Sequence, residues 1–198
     1  ETVSGRYEFK NKGIDVFIDA MGQLNRNNGL GKEVLAFILV PAGHAGANKE
    51  LLHNLELPYQ AVTSTDLYLT HYLNDSANDP VMNRIRAQKL RNSEEDKVKI
   101  FFVPSYLNGD DGVLNMPYYD LLVGMDLTAF PSYYEPWGYT PLESLAFKVP
   151  TITTTLAGFG LWVKEHYNMN HPGIEVIHRE DGDASNVATA IALSLIHI

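Results

Sequence analysis

No cysteine occurs in this 198-residue chain. That excludes disulfides, thiol nucleophiles and thiolate metal sites within it, and it accords with a reducing, cytoplasmic setting. No apolar run approaches the roughly 20 residues that span a bilayer, and the first residues lack the charged and apolar regions of a secretory signal, so no membrane association is expected. The chain also lacks a cationic stripe. Its formal net charge is −9, and its densest basic segment, Arg84-Ile85-Arg86-Ala87-Gln88-Lys89-Leu90-Arg91, is followed by Glu94-Glu95-Asp96. That segment reads as a solvated helix face, and nucleic acid is not an expected partner.

Other signatures are missing as well. No phosphate-binding P-loop is present, and Gly29-x-Gly31 precedes an apolar run and has no third glycine, whereas a dinucleotide fingerprint follows a strand. The seven histidines form no tight ligand set, and His166 and His171 lie five apart, off a shared helix face. Asp181-Gly182-Asp183 spells a manganese-binding Asp-x-Asp, but it stands in a turn before a helix, where acids cap and complement the dipole. No metal or other cofactor is expected. There is no internal repeat or low-complexity tract.

What is present alternates. Ile14, Phe17, Ile18, Met21 and Leu24 recur at helical spacing, predicting a helix from Gly13 to Asn25 that Asn27-Asn28-Gly29 breaks. The runs 34–40 and 98–103, ended by Pro41 and Pro104, read as buried parallel strands. Residues 127–130, 151–154 and 174–178 read as further strands; Pro80–Leu90, Tyr118–Val123, Pro141–Phe147 and the segment from about Ser185 read as helices. Residues 43–48 and 105–116 read as loops, and 49–66 as a helix followed by an irregular stretch. This order predicts a Rossmann-like α/β domain, a parallel sheet with helices on both faces. Its ligand belongs beyond the carboxyl ends of the strands, where the loops at Arg6, 104–117 and Glu135 converge. Glu1-Thr2-Val3 reads as the end of a strand, and Ile191–Ile198 stops inside an apolar helical run, so residues 1–198 are expected to be one domain cut from a longer protein.

The most informative stretch is Phe130-Pro-Ser-Tyr-Tyr-Glu135-Pro-Trp-Gly138-Tyr-Thr140-Pro-Leu-Glu143. It joins a strand to a helix through a glycine-containing loop, the arrangement in which free helix N–H groups and the helix dipole hold phosphate. Glu135 and Glu143 flank that site and would repel phosphate, so they are suited to accept hydrogen bonds from hydroxyls. Phosphate between hydroxyls describes a nucleotide-sugar. Thr140-Pro141-Leu142-Glu143 is also a capping box, with Thr140 as N-cap and Glu143 reaching back to it. Arg6 and Lys12, in a glycine-containing loop before the first helix, are candidate cations for a diphosphate, against the alternative of an ordinary basic turn.

The glutamate pair with its aromatic run resembles the donor-site motif of animal and fungal-type glycogen synthases. The resemblance extends to Gly158-Phe159-Gly160, Ser4–Gly13, Thr70-His71, Asp75–Pro80 and Asp96–Val103, and fades after His166. It implies the C-terminal, donor-binding half of a two-Rossmann-domain (GT-B) retaining glucosyltransferase, with the acceptor-binding N-terminal domain absent. By resemblance Arg6 and Lys12 grip the donor phosphates with the N–H groups around Gly138, Tyr139 and Thr140. Tyr118 stacks on the base, the alternative being Tyr119, or both tyrosines, as core residues; Glu143 accepts from the ribose, and Glu135 lies by the transferred glucose. The donor would be UDP-glucose or ADP-glucose, the acceptor an α-1,4-glucan. A sucrose, trehalose-phosphate or polysaccharide-forming relative, or a non-catalytic nucleotide-sugar sensor, are the rival readings. Between Pro41 and Asp66 the chain is shorter than those enzymes, which carry a helical insertion implicated in subunit contacts there, so the oligomeric state stays open.

Overall fold

The structure, a computed structural model, describes residues 1–27, 29–57, 68–167 and 172–196. Asn28, residues 58–66 of the ambiguous stretch and His171 lie outside the described residues. A six-stranded sheet forms the centre: β1 (Thr2–Ser4), β2 (Val34–Leu39), β5 (Val98–Val103), β6 (Thr128–Ala129), β7 (Thr151–Thr154) and β8 (Ile174–Ile177). Its spatial order is β5-β2-β1-β6-β7-β8, and every pairing is parallel. The chain builds outward from β1 to the β5 edge, then returns to place β6 on β1's other side. The strand order therefore reverses between β1 and β6, the point where doubly wound sheets open a crevice beyond their carboxyl ends.

Helix α1 (Ile14–Asn25) sends Ile14, Phe17, Ile18, Met21 and Leu24 into the core, all fully buried. It packs between α3 (Pro80–Ala87) and α7 (Ala184–Ile196) on one face of the sheet; α2 (Lys49–Glu56) and α4 (Tyr118–Leu122) are two further short helices. On the other face α5 (Tyr139–Ala146) and α6 (Gly158–His166) cover β7 and β8, where Phe159 and Val163 meet Ile174 and Val176. The expected two-faced sheet is present. Burial along most of β2 and β5 is nevertheless one-sided: Val34, Ala36, Ile38, Val98, Ile100 and Phe102 join the main core, whereas on the opposite face only Leu39 and Val103, at the carboxyl ends, are buried. Leu35 is 53% exposed, and Phe37 and Phe101, stacked 5.6 Å apart, are only partly covered. Uninterrupted apolar sequence thus does not mean burial on both faces.

Three local readings are corrected. Residues 43–48, read as loop, include β3 (His44–Ala47), which pairs antiparallel with β4 (His71–Leu73) in a ribbon apart from the main sheet. Gly43, Ala45 and Gly46 carry little strand propensity, and partners supplied from residues 71–73 override it. Helix α6 was not foreseen: its Gly-x-Gly start is weakly helical, and burial of Phe159 and Val163 holds it. The capping box does not form. Helix α5 begins at Tyr139 with Gly138 as N-cap, so Thr140 and Pro141 lie inside the first turn and no side chain caps the helix.

Candidate functional site

Two loops meet at the switch point. The segment after β1 runs from Gly5 to Gly13; the segment after β6 runs from Phe130 to Gly138. They touch through their backbones, with Tyr133 N–H donating to Asn11 C=O at 2.8 Å and Tyr134 N–H to the same oxygen at 3.3 Å. Gly13 makes this approach possible. It has φ +68°, and a Cβ there would sit 1.8 Å from the Pro131 carbonyl oxygen. Only glycine tolerates both conditions.

That contact brings Lys12 onto Glu135. The Lys12 ammonium pairs with a Glu135 carboxylate oxygen, and the two side chains are only 15% and 18% exposed. The backbone of Glu135 is held independently, its N–H donating to Leu156 C=O at 3.3 Å and its C=O accepting from Gly158 N–H at 3.0 Å. Past Glu135 the chain turns at Gly138, φ +101°, whose absent Cβ would lie 3.3 Å from the Glu135 Cγ. The first turn of α5 follows, with uncapped N–H groups beside the carboxylate.

Alongside lies a cleft of about 310 Å³. Ser4 and Gly5 form its floor at the end of β1; Ser105, Tyr106, Leu107 and Asn108 form one wall, and Tyr118 and Thr140 complete it. The Lys12 aliphatic chain passes 4.0 Å from where a Gly5 Cβ would be, so Lys12 neighbours one of the residues that line this cleft. The Tyr118 hydroxyl and Ser4 Oγ share a hydrogen bond of 2.7 Å. Burial pushes the Tyr118 hydroxyl above its ordinary pKa, and the negative charge of Glu143 adds to the shift. Glu143 also raises neighbouring Tyr119, chiefly by its charge and further by a hydrogen bond. Tyr119 is 45% exposed and stacks on Phe147 at 5.0 Å, so it is no core residue.

The structure therefore brings Lys12, Glu135, Gly138, Thr140, Tyr118 and Glu143 into one neighbourhood. Tyr139 lies in the first turn of α5 with its side chain 69% exposed. Arg6 stands apart: its side chain is 82% exposed, 3.6 Å from Glu8, and it does not line the cleft. The Asp181-Gly182-Asp183 turn is used structurally, Asp181 accepting from the Tyr133 hydroxyl and Asp183 C=O accepting from Val187 N–H as α7 begins. His166 Nδ1 donates to Trp162 C=O, 2.9 Å away, and its ring stacks on the Trp162 indole. Among the described residues no group of three His, Cys, Asp or Glu side chains is placed to hold a metal ion, and no helix is long and apolar enough to cross a membrane.

Sequence reasoning did not anticipate Ser4 or Arg179. Arg179, at the end of β8 and 5% exposed, donates to the Pro131 carbonyl and lies over the Tyr133 ring, 5.4 Å from its centroid. It braces the loop that carries Glu135. A lone arginine after a strand carries no motif, and only the tertiary contact reveals it.

Comparison with known proteins agrees with this geometry. The glycogen synthase family profile matches residues 2–65 and 60–196. Glycogen [starch] synthase isoform 2 of Saccharomyces cerevisiae is 32% identical over 240 residues, covering 89% of this chain and 34% of the yeast protein. Glycogen [starch] synthase of Neurospora crassa is 32% identical, covering 89% of this chain and 33% of its own length. The liver protein of Rattus norvegicus is 30% identical, covering 83% and 30% respectively. The chain thus spans about a third of the length of these relatives. With the profile matching nearly from end to end, and the glutamate-flanked helix start at the switch point of a parallel sheet, this chain belongs to the glycogen synthase family.

Proposed function

We propose that residues 1–198 are the nucleotide-sugar-binding domain of a retaining, GT-B-type glucosyltransferase that moves glucose from UDP-glucose or ADP-glucose to an α-1,4-glucan. The observation that carries this reading is the placement of Lys12, Glu135 and the uncapped start of α5 beside a cleft walled by Tyr118. The base stacks on Tyr118 within the cleft, and the ribose hydroxyls donate to Glu143. The diphosphate lies against the N–H groups of Gly138, Tyr139 and Thr140, with Lys12 and, after a swing from its exposed position, Arg6 supplying positive charge. Glucose then projects toward Glu135.

The reaction breaks the bond from the anomeric carbon to the diphosphate oxygen and forms one to an acceptor hydroxyl on the same face. The hydroxyl proton passes to the departing phosphate oxygen. Glu135 stabilises the positive charge that develops on the sugar, while Lys12 and Arg6 stabilise the negative charge on the leaving group. Each interaction strengthens toward the transition state, which is where binding raises rate. No metal takes part in this scheme. The acceptor binds a second, N-terminal domain of the whole protein, working in the cytoplasm. This domain alone binds donor weakly and turns over nothing, since closure against the second domain excludes water.

Calorimetric titration of this chain with UDP, ADP, UDP-glucose and ADP-glucose tests the reading. Selective binding that weakens with Tyr118→Ala and Arg6→Ala supports it and names the base. Retained binding in both variants overturns the assignment of the cleft.

A further inference from the structure

The cleft wall at Ser105–Asn108 and the Tyr118 platform are two ends of one segment. Their junction is a clamp: Asn108 bridges Pro117, and Tyr118 N–H donates to Leu107 C=O at 3.0 Å. Between these ends the chain makes an excursion over residues 109–116, in which the Asn108 and Asn115 side chains accept the N–H groups of Asp110 and Gly112 and one carboxylate takes three more. The Asp111 carboxylate accepts the N–H groups of Val113, Leu114 and Asn115 at 3.0, 2.8 and 2.8 Å. The excursion is tied to the rest of the protein by a histidine that the proposed chemistry does not use.

His71, on β4, is fully buried, and its Nε2 lies 2.7 Å from the backbone carbonyl oxygen of Asp111, 40 residues away. A carbonyl can only accept, so Nε2 carries the hydrogen. The Asp111 carboxylate, 3.9 Å from Nε2, is too distant to be the partner. Nδ1 stands 2.8 Å from Thr70 Oγ1, whose hydroxyl is also 3.3 Å from the Phe102 carbonyl oxygen, so the second ring nitrogen is anchored to the strand side of the fold. Held at both ring nitrogens, the imidazole keeps its Nε2 hydrogen directed at the excursion. The His44 ring packs edge-on against His71, 4.7 Å between centroids, and closes the remaining side. A core histidine needs only local partners; this one joins the β3–β4 ribbon to the segment that builds the cleft.

We propose that His71 is a positioning residue for donor binding. By holding the Asp111 carbonyl it keeps residues 109–116 folded and so sets the Leu107–Asn108 wall and the Tyr118 ring. It acts on the base end of the cleft and leaves Lys12 and Glu135 untouched. The inference rests on the reading of this cleft as the donor site.

Two measurements on the same variants test it: amide hydrogen exchange across residues 105–120, which needs no ligand, and UDP titration, with donor KM and kcat determined in the whole enzyme. His71→Asn, too short to reach the carbonyl, is expected to speed exchange at Tyr118 and weaken UDP binding about tenfold, raising KM with kcat kept. His71→Gln, whose terminal amide reaches the same oxygen, is expected to recover most of both. Asp111→Ala alters only the excursion, so it carries the test if His71→Asn does not fold, and it is expected to mimic it. Faster exchange with unchanged UDP affinity, no rescue by glutamine, or a fall in kcat at constant KM overturns the proposal. Failure of the unsubstituted protein to bind either UDP or ADP overturns the donor reading itself, and is recognised by occurring before any substitution; where ADP is the nucleotide bound, it replaces UDP in the titrations.

Discussion

Lys12 and Glu135, 123 positions apart in sequence, form an ion pair at the junction of the β1 and β6 loops, with both side chains mostly buried. A cation expected to grip phosphate thus rests on the carboxylate expected to face the sugar. The pairing satisfies two charges that would otherwise be costly so far from water. It also places the cation within reach of the cleft that Gly5 borders.

Removing one partner should expose that cost. Lys12→Met leaves Glu135 unpaired and is expected to destabilise the fold by about 3 kcal/mol, the lower end for a buried pair because both groups keep some contact with water. Adding Glu135→Gln should restore part of the loss, since neither residue then carries an unmatched charge. Urea denaturation of the two single variants and the double variant measures the coupling; additive losses contradict it.

Glu135→Gln keeps the shape of the loop and removes its negative charge. In the whole enzyme kcat is expected to fall by about a hundredfold to a thousandfold, with donor affinity changed only slightly. Steady-state kinetics with purified variants decide this, and a loss confined to KM contradicts the role assigned to Glu135.

Tyr118 makes two contributions that substitution separates. Tyr118→Phe deletes the 2.7 Å bond to Ser4 and should cost about 1 kcal/mol of stability while keeping a stacking face. Tyr118→Ala removes the face and should weaken nucleotide binding by about tenfold or more. Equal nucleotide affinity in the two variants speaks against stacking.

Gly13→Ala should be among the most damaging single changes. It combines φ +68° with a Cβ at 1.8 Å from Pro131 O, so the two site loops must part. A loss of about 3 kcal/mol or more is expected, read from thermal or urea unfolding.

Asp96 should contribute to the acid limb of stability. Burial alone pushes its carboxyl up, but hydrogen bonds from the Asn25 side chain, from Ser93 and from the Arg91 backbone outweigh this and hold it below the usual range. A depressed folded-state pKa means the stabilisation is full above the unfolded value of about 3.9 and is lost as pH falls through the folded value. Asp96→Asn is expected to flatten stability against pH between about pH 5 and about pH 2, which urea melts across that range will show.

Several of these features were legible in the chain. The strand at 98–103 was bounded correctly by its apolar run and Pro104, the strand at 151–154 was also placed correctly, and α1 followed from its spacing of Ile14, Phe17, Ile18, Met21 and Leu24. The glutamate-flanked turn was legible as a strand-to-helix connection, which β6 and α5 form. Less legible were elements whose stability comes from distant partners: the β3–β4 ribbon, helix α6, and the start of α5, where Gly138 displaces the Thr140 cap.

Composition and short-range pattern suffice for the alternation of elements, the absence of thiol chemistry and the residue types of the candidate site. Tertiary structure alone decided that the order of strands reverses between β1 and β6, that Lys12 reaches Glu135 while Arg6 stays in solvent, and that Ser4, His71 and Arg179 hold the site's parts. The physical reason is range. Propensity and periodicity act over a few residues, whereas a hydrogen bond or ion pair between loops depends on packing that brings remote positions within about 3 Å of each other.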